Sequence, residues 1–518
     1  MAPDEGRYAE IPREMIATSE YITPHLNGVK YFEKPPLFYW LESAGIKAFG
    51  LSEGALRLVP AILGVLGCLL VYAAGRKLYD RRGGLLASFT LATSVLYFLY
   101  ARFISPDLAL SLFLAGSLLS FICAVNTVAG RLRTCFLLLM YVCAALATMT
   151  KGLIGIVFPG MIIFTWILLL NKWRDLKTYH LFSGLLLFLL LTLPWHILVQ
   201  IKNPEFARFY FIDQHFLRYF TDYAQRQQPR WFFPVTALIG FFPWILFLLF
   251  SPHGCKDFWQ HRKQHENTLF LLVWVLVILI FFTCSRSQLI PYALPLMFPF
   301  ALLIGRYFSL VWEQKSLRSL NISLKILLVL GLIASVAGAL FVHPRHAIDA
   351  QPIYWYLALG ILAMTVLLAN WFYHFKGFRS VFITLTLGFG LCFLALDHSY
   401  NSLDPRSVKS LAQVLQPRLS YNGSIEVANY HRYYQDLPVY IKQRVMVVGE
   451  KNELEFGSQH QDASTWLVDD AYFWQRWRQP PRMFVIMFRS DYNTLKTQYP
   501  LYPLAETSLN ILATNLPP

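Results

Sequence analysis

Charged and aromatic residues crowd the first forty positions of this 518-residue chain. The motif DEGRYAEIPREM holds Asp4 and Arg7, and YFEKPPLFYW holds Tyr31, Glu33 and Lys34. Carboxylates can orient a polar substrate or accept a proton, and cationic side chains can stabilise a phosphate leaving group. If these side chains face a cavity, they predict a site that processes a charged, lipid-linked substrate. If they face bulk water, the segment is an ordinary hydrophilic loop.

The composition places these residues in a membrane protein. Hydrophobic residues make up 56% of the chain and charged residues only 14%, which is too apolar for a soluble protein of this length. About twelve apolar stretches are long enough to cross a ~30 Å hydrocarbon core as helices. They lie near 55–75, 84–100, 108–125, 134–149, 153–170, 181–199, 231–250, 269–283, 292–312, 326–342, 353–371 and 381–396. Runs this continuously apolar are not barrel strands, so we predict an all-α polytopic membrane protein.

Lysine and arginine are distributed unevenly between the connecting loops. Alternate loops, beginning with 76–83, carry seventeen basic residues, whereas the other short loops carry four. Because basic loops stay in the cytoplasm, residues 1–54 and the tail after residue 396 are expected on the opposite side. The net charge of +15 reflects this bias and attraction to anionic lipids, not nucleic-acid binding.

The polar start has no apolar segment before it that could carry it across the membrane. We therefore expect a signal-anchor helix to precede Met1 in the full-length protein. Translocation of a polar N-terminus without such a helix is the alternative.

Ionisable residues at the ends of other spans collect on this outer face. Asp107 begins a span in ARFISPD, Lys151 lies between two spans in TKG, and Tyr292 opens another span. A long aromatic loop adds His215 and Arg218. Such residues are unfavourable at a membrane surface unless they face a cavity, so their convergence predicts a site. Taken singly, a cation can snorkel, Asp107 can cap its helix, and His215 can be an ordinary hydrogen-bonded histidine.

Residues 397–518 differ from the rest of the chain. They are polar, with the short apolar runs IEVANY, LPVYI, VMVVG and MFVIMF and a helical pattern near 406–416. This alternation predicts a small α/β domain outside the membrane. The chain therefore divides into a first outer loop (1–54), a membrane domain (55–396) and this tail.

Several motifs resemble those of the polyprenyl-phosphate-sugar glycosyltransferases of the GT-C superfamily. They are DEGRYAEIPREM, YFEKPPLFYW, ISPDLAL, TKG, HFLRYF and PYALPLMFP, with YYQDLPVYI and VMVVGEKNELEFG in the tail. The resemblance is greatest to the bacterial lipid A aminoarabinose (4-amino-4-deoxy-L-arabinose) transferases, which are related to dolichyl-phosphate-mannose protein mannosyltransferases. It covers nearly the whole chain. It implies a bacterial inner-membrane enzyme with about thirteen spans and a periplasmic C-terminal domain, and so restores the missing first helix.

The resemblance assigns residues to the donor. Lys34, Arg218 and Tyr292 look like the residues that hold the phosphate of the lipid. Glu33 and His215 resemble positions where a divalent ion can sit in the family. One carboxylate and one imidazole form a thin metal site, so no cofactor is expected to be required, although a divalent ion is left open.

The resemblance also assigns a catalytic and acceptor region. Asp4 and Asp107 resemble the catalytic carboxylates, and Arg7, Tyr31 and Lys151 resemble the wall that binds sugar and acceptor. An acceptor hydroxyl would need Asp4 as a general base. A lipid A phosphate, whose second pKa is near ~6, would need none.

Two positions depart from the family pattern. The family commonly has a lysine where this chain has Gln288, and an acidic residue often precedes the histidine where this chain has Gln214. These changes could alter the donor or the acceptor, so family membership is a firmer inference than substrate identity.

The expected reaction moves a sugar, with an aminoarabinose-like pentose favoured, from undecaprenyl phosphate to an outer-leaflet acceptor. Lipid A phosphate is favoured over another envelope acceptor. A protein or glycan O-glycosyltransferase is the first alternative. A lipid-linked sugar flippase would favour sites on both faces or internal repeats, which the sequence does not show, and a non-catalytic scaffold would leave the outer charges replaceable.

Overall fold

The structure, a computed structural model, describes residues 3–221, 226–249, 255–312, 318–341, 352–401, 406–420 and 425–517. Within these residues, nine helices are long and apolar enough to cross a membrane. They are Glu53–Leu78, Pro106–Val125, Arg131–Lys151, Leu181–Lys202, Glu266–Cys284, Ile290–Val311, Ser319–Leu340, Ile353–Phe375 and Phe378–Ser399, joined by the shorter apolar helix Ile154–Leu170. The prediction of a helical, multi-span membrane protein is confirmed.

Short helices connect the long ones. In the membrane part they are Arg81–Ala92, Val95–Tyr100, Trp173–Thr178, Arg208–Leu217, Arg218–Phe220, Phe232–Gly240, Ile245–Leu249, Cys255–Gln260 and Ile290–Ala293, the last of which leads into a long helix. In the tail they are Lys409–Leu415, Gln416–Arg418, Leu437–Ile441, Asn452–Leu454, Glu455–Gln459, Asp470–Trp477 and Arg489–Leu495.

Polar caps fix where several membrane helices begin. The side chains of Ser52, Asp80 and Ser105 each accept a hydrogen bond from a backbone N–H in the first turn that follows. Such caps satisfy donors that the helix itself leaves free. The helix after Ser105, Pro106–Val125, is the central one. Of its apolar 18-residue stretch, 89% is buried inside the protein, against 22% of the corresponding stretch of Ile353–Phe375.

Two predicted spans are interrupted. The stretch 84–100 forms two helices that are separated at Thr93 and Ser94. The stretch 231–250 forms two helices separated around Pro243, which has no N–H to continue a helical ladder. Hydropathy detects the length and apolarity of a stretch but not a break inside it, and for this reason it predicts both stretches as continuous spans.

Hydrogen bonds join the two interruptions. The Val95 N–H donates to the Phe242 carbonyl at 3.2 Å. The indole N–H of the fully buried Trp244 donates to Thr93 Oγ1 at 3.0 Å. Backbone breaks at membrane depth are tolerated only where protein groups pair the freed donors and acceptors. Here each break supplies hydrogen-bond partners for the other.

The segment 1–54, predicted as a loop, contains regular structure. Its described part forms the helices Pro3–Thr18 and Leu37–Phe49, with a two-stranded hairpin of β1 (His25–Leu26) and β2 (Val29–Lys30) between them. The assignment of this segment as the first outer loop stays a prediction, but the segment is folded. The first helix is polar on average, so the sequence has no long hydrophobic run that would indicate it.

The tail contains a six-stranded sheet in the order β5–β4–β3–β6–β8–β7. The strands are β3 (Val427–Tyr430), β4 (Met446–Val448), β5 (Leu467–Val468), β6 (Phe484–Phe488), β7 (Tyr502–Glu506) and β8 (Asn510–Thr514). Neighbours from β5 to β6 pair in parallel, and β8 pairs antiparallel with both β6 and β7. The predicted small α/β domain is confirmed.

Three of the four apolar runs in the tail are strands. IEVANY, VMVVG and MFVIMF supply β3, β4 and β6, whereas LPVYI forms the short helix Leu437–Ile441. Pro438 lies at the start of that helix, where its missing N–H and fixed φ are compatible with helical structure. A run of five apolar residues cannot by itself separate a strand from a helical turn.

The tail docks on the amino-terminal segment through the β1–β2 turn. The side-chain amide of Asn27, which is fully buried, donates to the Val445 carbonyl at 2.9 Å and accepts from the Val445 N–H at 2.9 Å. The Trp466 indole donates to the Asn27 carbonyl at 3.0 Å, and Gln461 donates to the Gly28 carbonyl at 2.7 Å. The first fifty residues and the tail therefore form one unit at one face of the helices.

Replacing Asn27 with alanine should lower the thermal stability of the detergent-solubilised protein. The substitution leaves both polar backbone groups of Val445 buried without their partner, at about 1–3 kcal/mol for each group. Asn171→Ala is the matched control, because Asn171 has a similar positive φ (55° against 51°) but is exposed. Equal melting temperatures for the two variants would contradict this role for the Asn27 side chain.

Candidate active site

Two adjoining cavities share Glu33, Gln214 and Arg218 as lining residues. The larger has a volume of about 1020 Å³ and walls rich in charged side chains from the amino-terminal segment, residues 204–226 and the tail. The smaller has a volume of about 490 Å³ and is lined mainly by aliphatic and aromatic side chains. The shared residues form a charged boundary between a polar space and an apolar one.

Cations surround Glu33 at this boundary. Arg218 Nη1 lies 3.9 Å from Glu33 Oε2, and Lys34 Nζ donates to the Glu33 backbone carbonyl at 2.8 Å. Burial alone would raise the pKa of Glu33, but the cations around it, Arg7 first among them, outweigh burial and lower its pKa to about 2. Burial and the charge of Arg218 lower the pKa of Lys34 well below its usual value. One carboxylate therefore faces more positive charge than it balances.

Asp107 and Lys151 form a buried ion pair beside this boundary. The Ser105 hydroxyl also donates to the Asp107 carboxylate, and the ammonium of Lys151 lies 4.6 Å from the centre of the Tyr292 ring. Lys151 and Tyr292 both line the apolar cavity, whereas Asp107 reaches it only through Lys151. Ser105, and not Asp107, thus caps this helix, and Lys151 is held by Asp107 instead of snorkelling to water.

The conformation at Gly152 requires the glycine of the TKG motif. Its φ is +102°, and a side chain at this position would clash with the His215 ring. The Leu153 N–H donates to His215 Nε2 at 3.2 Å, while His215 Nδ1 lies 2.5 Å from the Tyr210 carbonyl. His215 therefore fixes the end of the Lys151 helix against the π-helix Arg208–Leu217, a rare local form that often occurs at functional sites.

Glu33 and His215 do not fit the metal site that the resemblance leaves open. Both imidazole nitrogens of His215 are already engaged, Nε2 by the Leu153 N–H and Nδ1 by the Tyr210 carbonyl, so neither is free to bind a metal ion. The cations that surround Glu33 would repel a divalent ion. His215 acts as the hydrogen-bonded histidine that was the simpler alternative.

The two departures from the family pattern have different surroundings. Gln214 lines both cavities, and its carbonyl accepts from Arg218 Nη1 at 3.0 Å. A neutral partner orients the guanidinium of Arg218 without neutralising it. Gln288 is buried in its own loop, where it donates to the Ser285 carbonyl at 3.2 Å and lines neither cavity.

The remaining predicted residues lie at the amino-terminal edge. Arg7 lines the polar cavity, and its guanidinium carbon lies 6.0 Å from the centre of the Tyr31 ring. Tyr31 is 2% exposed. Asp4 is the outlier: its side chain is 72% exposed, lies 3.7 Å from Arg7 Nη2, and lines neither cavity.

The tail contributes side chains that the motifs did not predict as site residues. The NELEFG motif places Asn452, Glu453, Glu455 and Phe456 on the wall of the polar cavity. Its acidic and aromatic residues between two apolar strands were the available signal, but a contact with residues more than 200 positions away leaves no trace in one sequence.

The chain is similar to known glycosyltransferases. Residues 33–198 match the family described as dolichyl-phosphate-mannose-protein mannosyltransferase, and residues 411–515 match the aminoarabinose transferase C-terminal domain. A crystal structure of ArnT from Cupriavidus metallidurans bound to undecaprenyl phosphate superposes with a TM-score of 0.87 at 26% identity, covering 99% of this chain and 94% of that one. The chain belongs to the aminoarabinose transferase family of GT-C glycosyltransferases.

Curated members of the family cover different shares of the chain. The undecaprenyl phosphate-alpha-4-amino-4-deoxy-L-arabinose arabinosyl transferase of Aeromonas salmonicida is 29% identical over 71% of this chain, and the match spans 66% of the relative's length. The enzyme of the same name from Edwardsiella ictaluri is 26% identical over 91% of this chain and 86% of its own length. Sequence similarity thus extends through both the membrane helices and the tail.

Two sets of variants should separate the contribution of the Asp107–Lys151 ion pair to stability from its contribution to glycosyl transfer. Asp107→Asn or Lys151→Met should each destabilise the protein by about 3 kcal/mol or more, because the remaining charge stays buried without its partner. The double variant Asp107→Leu with Lys151→Met should recover most of the melting temperature without recovering glycosyl transfer. A double variant that regains transfer would show that the pair is only structural.

Proposed function

We propose that this protein transfers an aminoarabinose-like pentose from undecaprenyl phosphate to a phosphate of lipid A. The reaction would occur in the bacterial inner membrane, with the two cavities and the tail at the periplasmic face. The bias of basic residues toward the opposite loops supports this orientation. The observation that carries the proposal is the excess of positive charge where an apolar cavity meets a polar one.

The charge at this boundary suits the anionic head of a lipid. Lys34 and Arg218 line the apolar cavity with one carboxylate, Glu33, on the same wall. Lys151 lies on this wall too, but its charge is already paired with Asp107. Arg218 is oriented by the neutral Gln214, so its charge is available to phosphate oxygens. Binding of a phosphate would supply the negative charge that one carboxylate does not.

The apolar cavity suits the first isoprene units of a prenyl chain. Its wall includes Leu153, Val157, Phe216 and Phe282, which can contact a hydrocarbon without leaving polar groups unpaired. An amphiphile with its phosphate at Arg218 would thus place its hydrocarbon in one cavity and its sugar toward the other. The relative from Cupriavidus metallidurans bound undecaprenyl phosphate, which supports this class of donor.

The proposed chemistry is a displacement at the anomeric carbon of the sugar. An oxygen of the acceptor phosphate attacks that carbon, and the bond from the carbon to the undecaprenyl phosphate oxygen breaks. The bonding electrons leave with that oxygen, so the lipid departs as a phosphate monoester and the acceptor becomes a phosphodiester. Lys34 and Arg218 stabilise the negative charge that grows on the departing oxygens.

A phosphate acceptor agrees with the positions of the carboxylates. At neutral pH a phosphate monoester is already an anion, since its second pKa is about 6, and it needs no base. Asp4, the candidate base for a hydroxyl acceptor, lies outside both cavities, and Asp107 is held by Lys151. The names of the relatives specify aminoarabinose, which supports this sugar over a hexose.

Removing either proposed phosphate contact should slow transfer strongly. Lys34→Met and Arg218→Gln should each reduce kcat by about 10²–10³ with purified undecaprenyl-phosphate aminoarabinose and lipid A, because the departing phosphate loses a positive contact. Arg230→Gln, at an exposed arginine, is the control and should keep the wild-type rate. Near wild-type turnover in either site variant would exclude that residue from the phosphate site.

The pH dependence of Asp4→Asn should identify the acceptor class. With a phosphate acceptor, the variant should lose only the contribution of Asp4 to positioning, and its rate should stay nearly flat above the second phosphate pKa of about 6. With a hydroxyl acceptor, the loss should reach about 10²–10⁴, and the wild-type rate should rise through a carboxylate-like pKa. Product analysis that finds sugar only on hydroxyl groups would overturn the proposed acceptor.

A further inference from the structure

The tail supplies one wall of the polar cavity and is held there by aromatic contacts. The ring centre of Phe456 lies 3.8 Å from that of Phe209 in a stacked arrangement and 6.0 Å from that of Phe32. The neighbouring helical turn Asn452–Leu454 carries Glu453, which lines the cavity. The position of Glu453 relative to the membrane part is therefore fixed by packing.

Glu453 differs from Glu205 and Glu33, two other carboxylates of this cavity, in its partners. Glu205 is engaged by Lys30, whose ammonium lies 2.8 Å from Glu205 Oε1. Glu33 is surrounded by cations at the proposed phosphate position. Glu453 accepts a hydrogen bond from the neutral Gln435 and has no ion pair within 4.0 Å among the described residues. Its charge is consequently not neutralised by a direct contact.

Glu453 lines the same cavity as Glu33 and Arg218, the residues of the proposed phosphate position. Burial raises the pKa of Glu453, and the charge of Arg7 opposes that rise. A protonated amine placed beside Glu453 would favour the carboxylate form.

Unsatisfied polar atoms on the same side indicate that a polar ligand belongs there. The Tyr31 hydroxyl and Arg7 Nε are buried and have no hydrogen-bond partner among the described residues. Tyr31 is 2% exposed, and Arg7 lines the polar cavity with Glu33 and Glu453. Buried polar groups are normally paired, so the unpaired Nε of Arg7 marks a residue of the cavity wall that is a candidate to bind substrate, whereas Tyr31 lines neither cavity.

We propose that Glu453 binds the protonated amine of the transferred sugar and so selects an amino sugar over a neutral one. This inference rests on the proposed function. The donor would then carry a phosphate held by cations at Arg218 and an amine held by a carboxylate on the tail. Opposite charges at the two ends of the sugar would fix its orientation as well as its identity.

The test compares two donors in the full-length protein. One is undecaprenyl-phosphate aminoarabinose, and the other is its analogue with a hydroxyl in place of the amine. Glu453→Gln should lower kcat/KM roughly ten- to hundredfold for the amino donor, because a charge-assisted hydrogen bond becomes a neutral one, and should leave the hydroxyl donor nearly unchanged. Glu453→Asp should retain part of the preference.

Two carboxylates of the same cavity provide matched controls. Glu455→Gln, at an exposed position, and Asp213→Asn should both keep the wild-type preference for the amino donor. An unchanged preference in Glu453→Gln, or its loss in Asp213→Asn instead, would overturn the proposal. Equal losses with both donors would also overturn it, and melting temperatures would then show whether the variant had unfolded. If the wild-type protein transfers neither donor, the proposed function fails rather than this inference.

Discussion

More positive charge surrounds Glu33 than one carboxylate can neutralise, and the rest of the site is arranged around this imbalance. Arg218 and Lys34 are brought to the boundary between an apolar and a polar cavity, where charge is poorly screened. A protein that kept this arrangement for stability alone would be expected to pair the cations. Leaving them in excess disfavours the empty state and favours binding of an anion, which is how a lipid phosphate can be bound at a membrane surface.

The fold maintains this imbalance by fixing each cation from a different direction. Gly152 lets His215 approach the end of the Lys151 helix, and His215 in turn joins that end to the π-helix that precedes Arg218. Asp107, at the start of the central buried helix, holds Lys151. The polar groups that look catalytic in sequence thus divide into those that face a cavity and those that hold the first group in place. Asp107 and His215 belong to the second group.

The convergence of these charges could be predicted because few environments are favourable for an ionisable residue at the end of a span. Membrane energetics restricts Lys151, Arg218 and Tyr292 to water or to a shared cavity, and the loop charge bias places them on one face. The same reasoning failed for Asp4, which is exposed, since position in a polar segment says nothing about orientation. The breaks near Thr93 and Pro243 were also beyond hydropathy, because each depends on a partner in the other interrupted helix.

The tail shows most clearly what a single sequence omits. Its sheet was predictable from short apolar runs, but its role depends on Asn27 pairing with Val445 across more than 400 residues of chain. That pairing brings the NELEFG turn over the polar cavity, where Phe456 stacks on Phe209. An amphiphilic substrate needs a wall that membrane helices cannot easily provide, because polar side chains are unfavourable among lipids. A folded domain outside the membrane can place a carboxylate there without that penalty, and the segment around Asn27 and the tail therefore meet at the site.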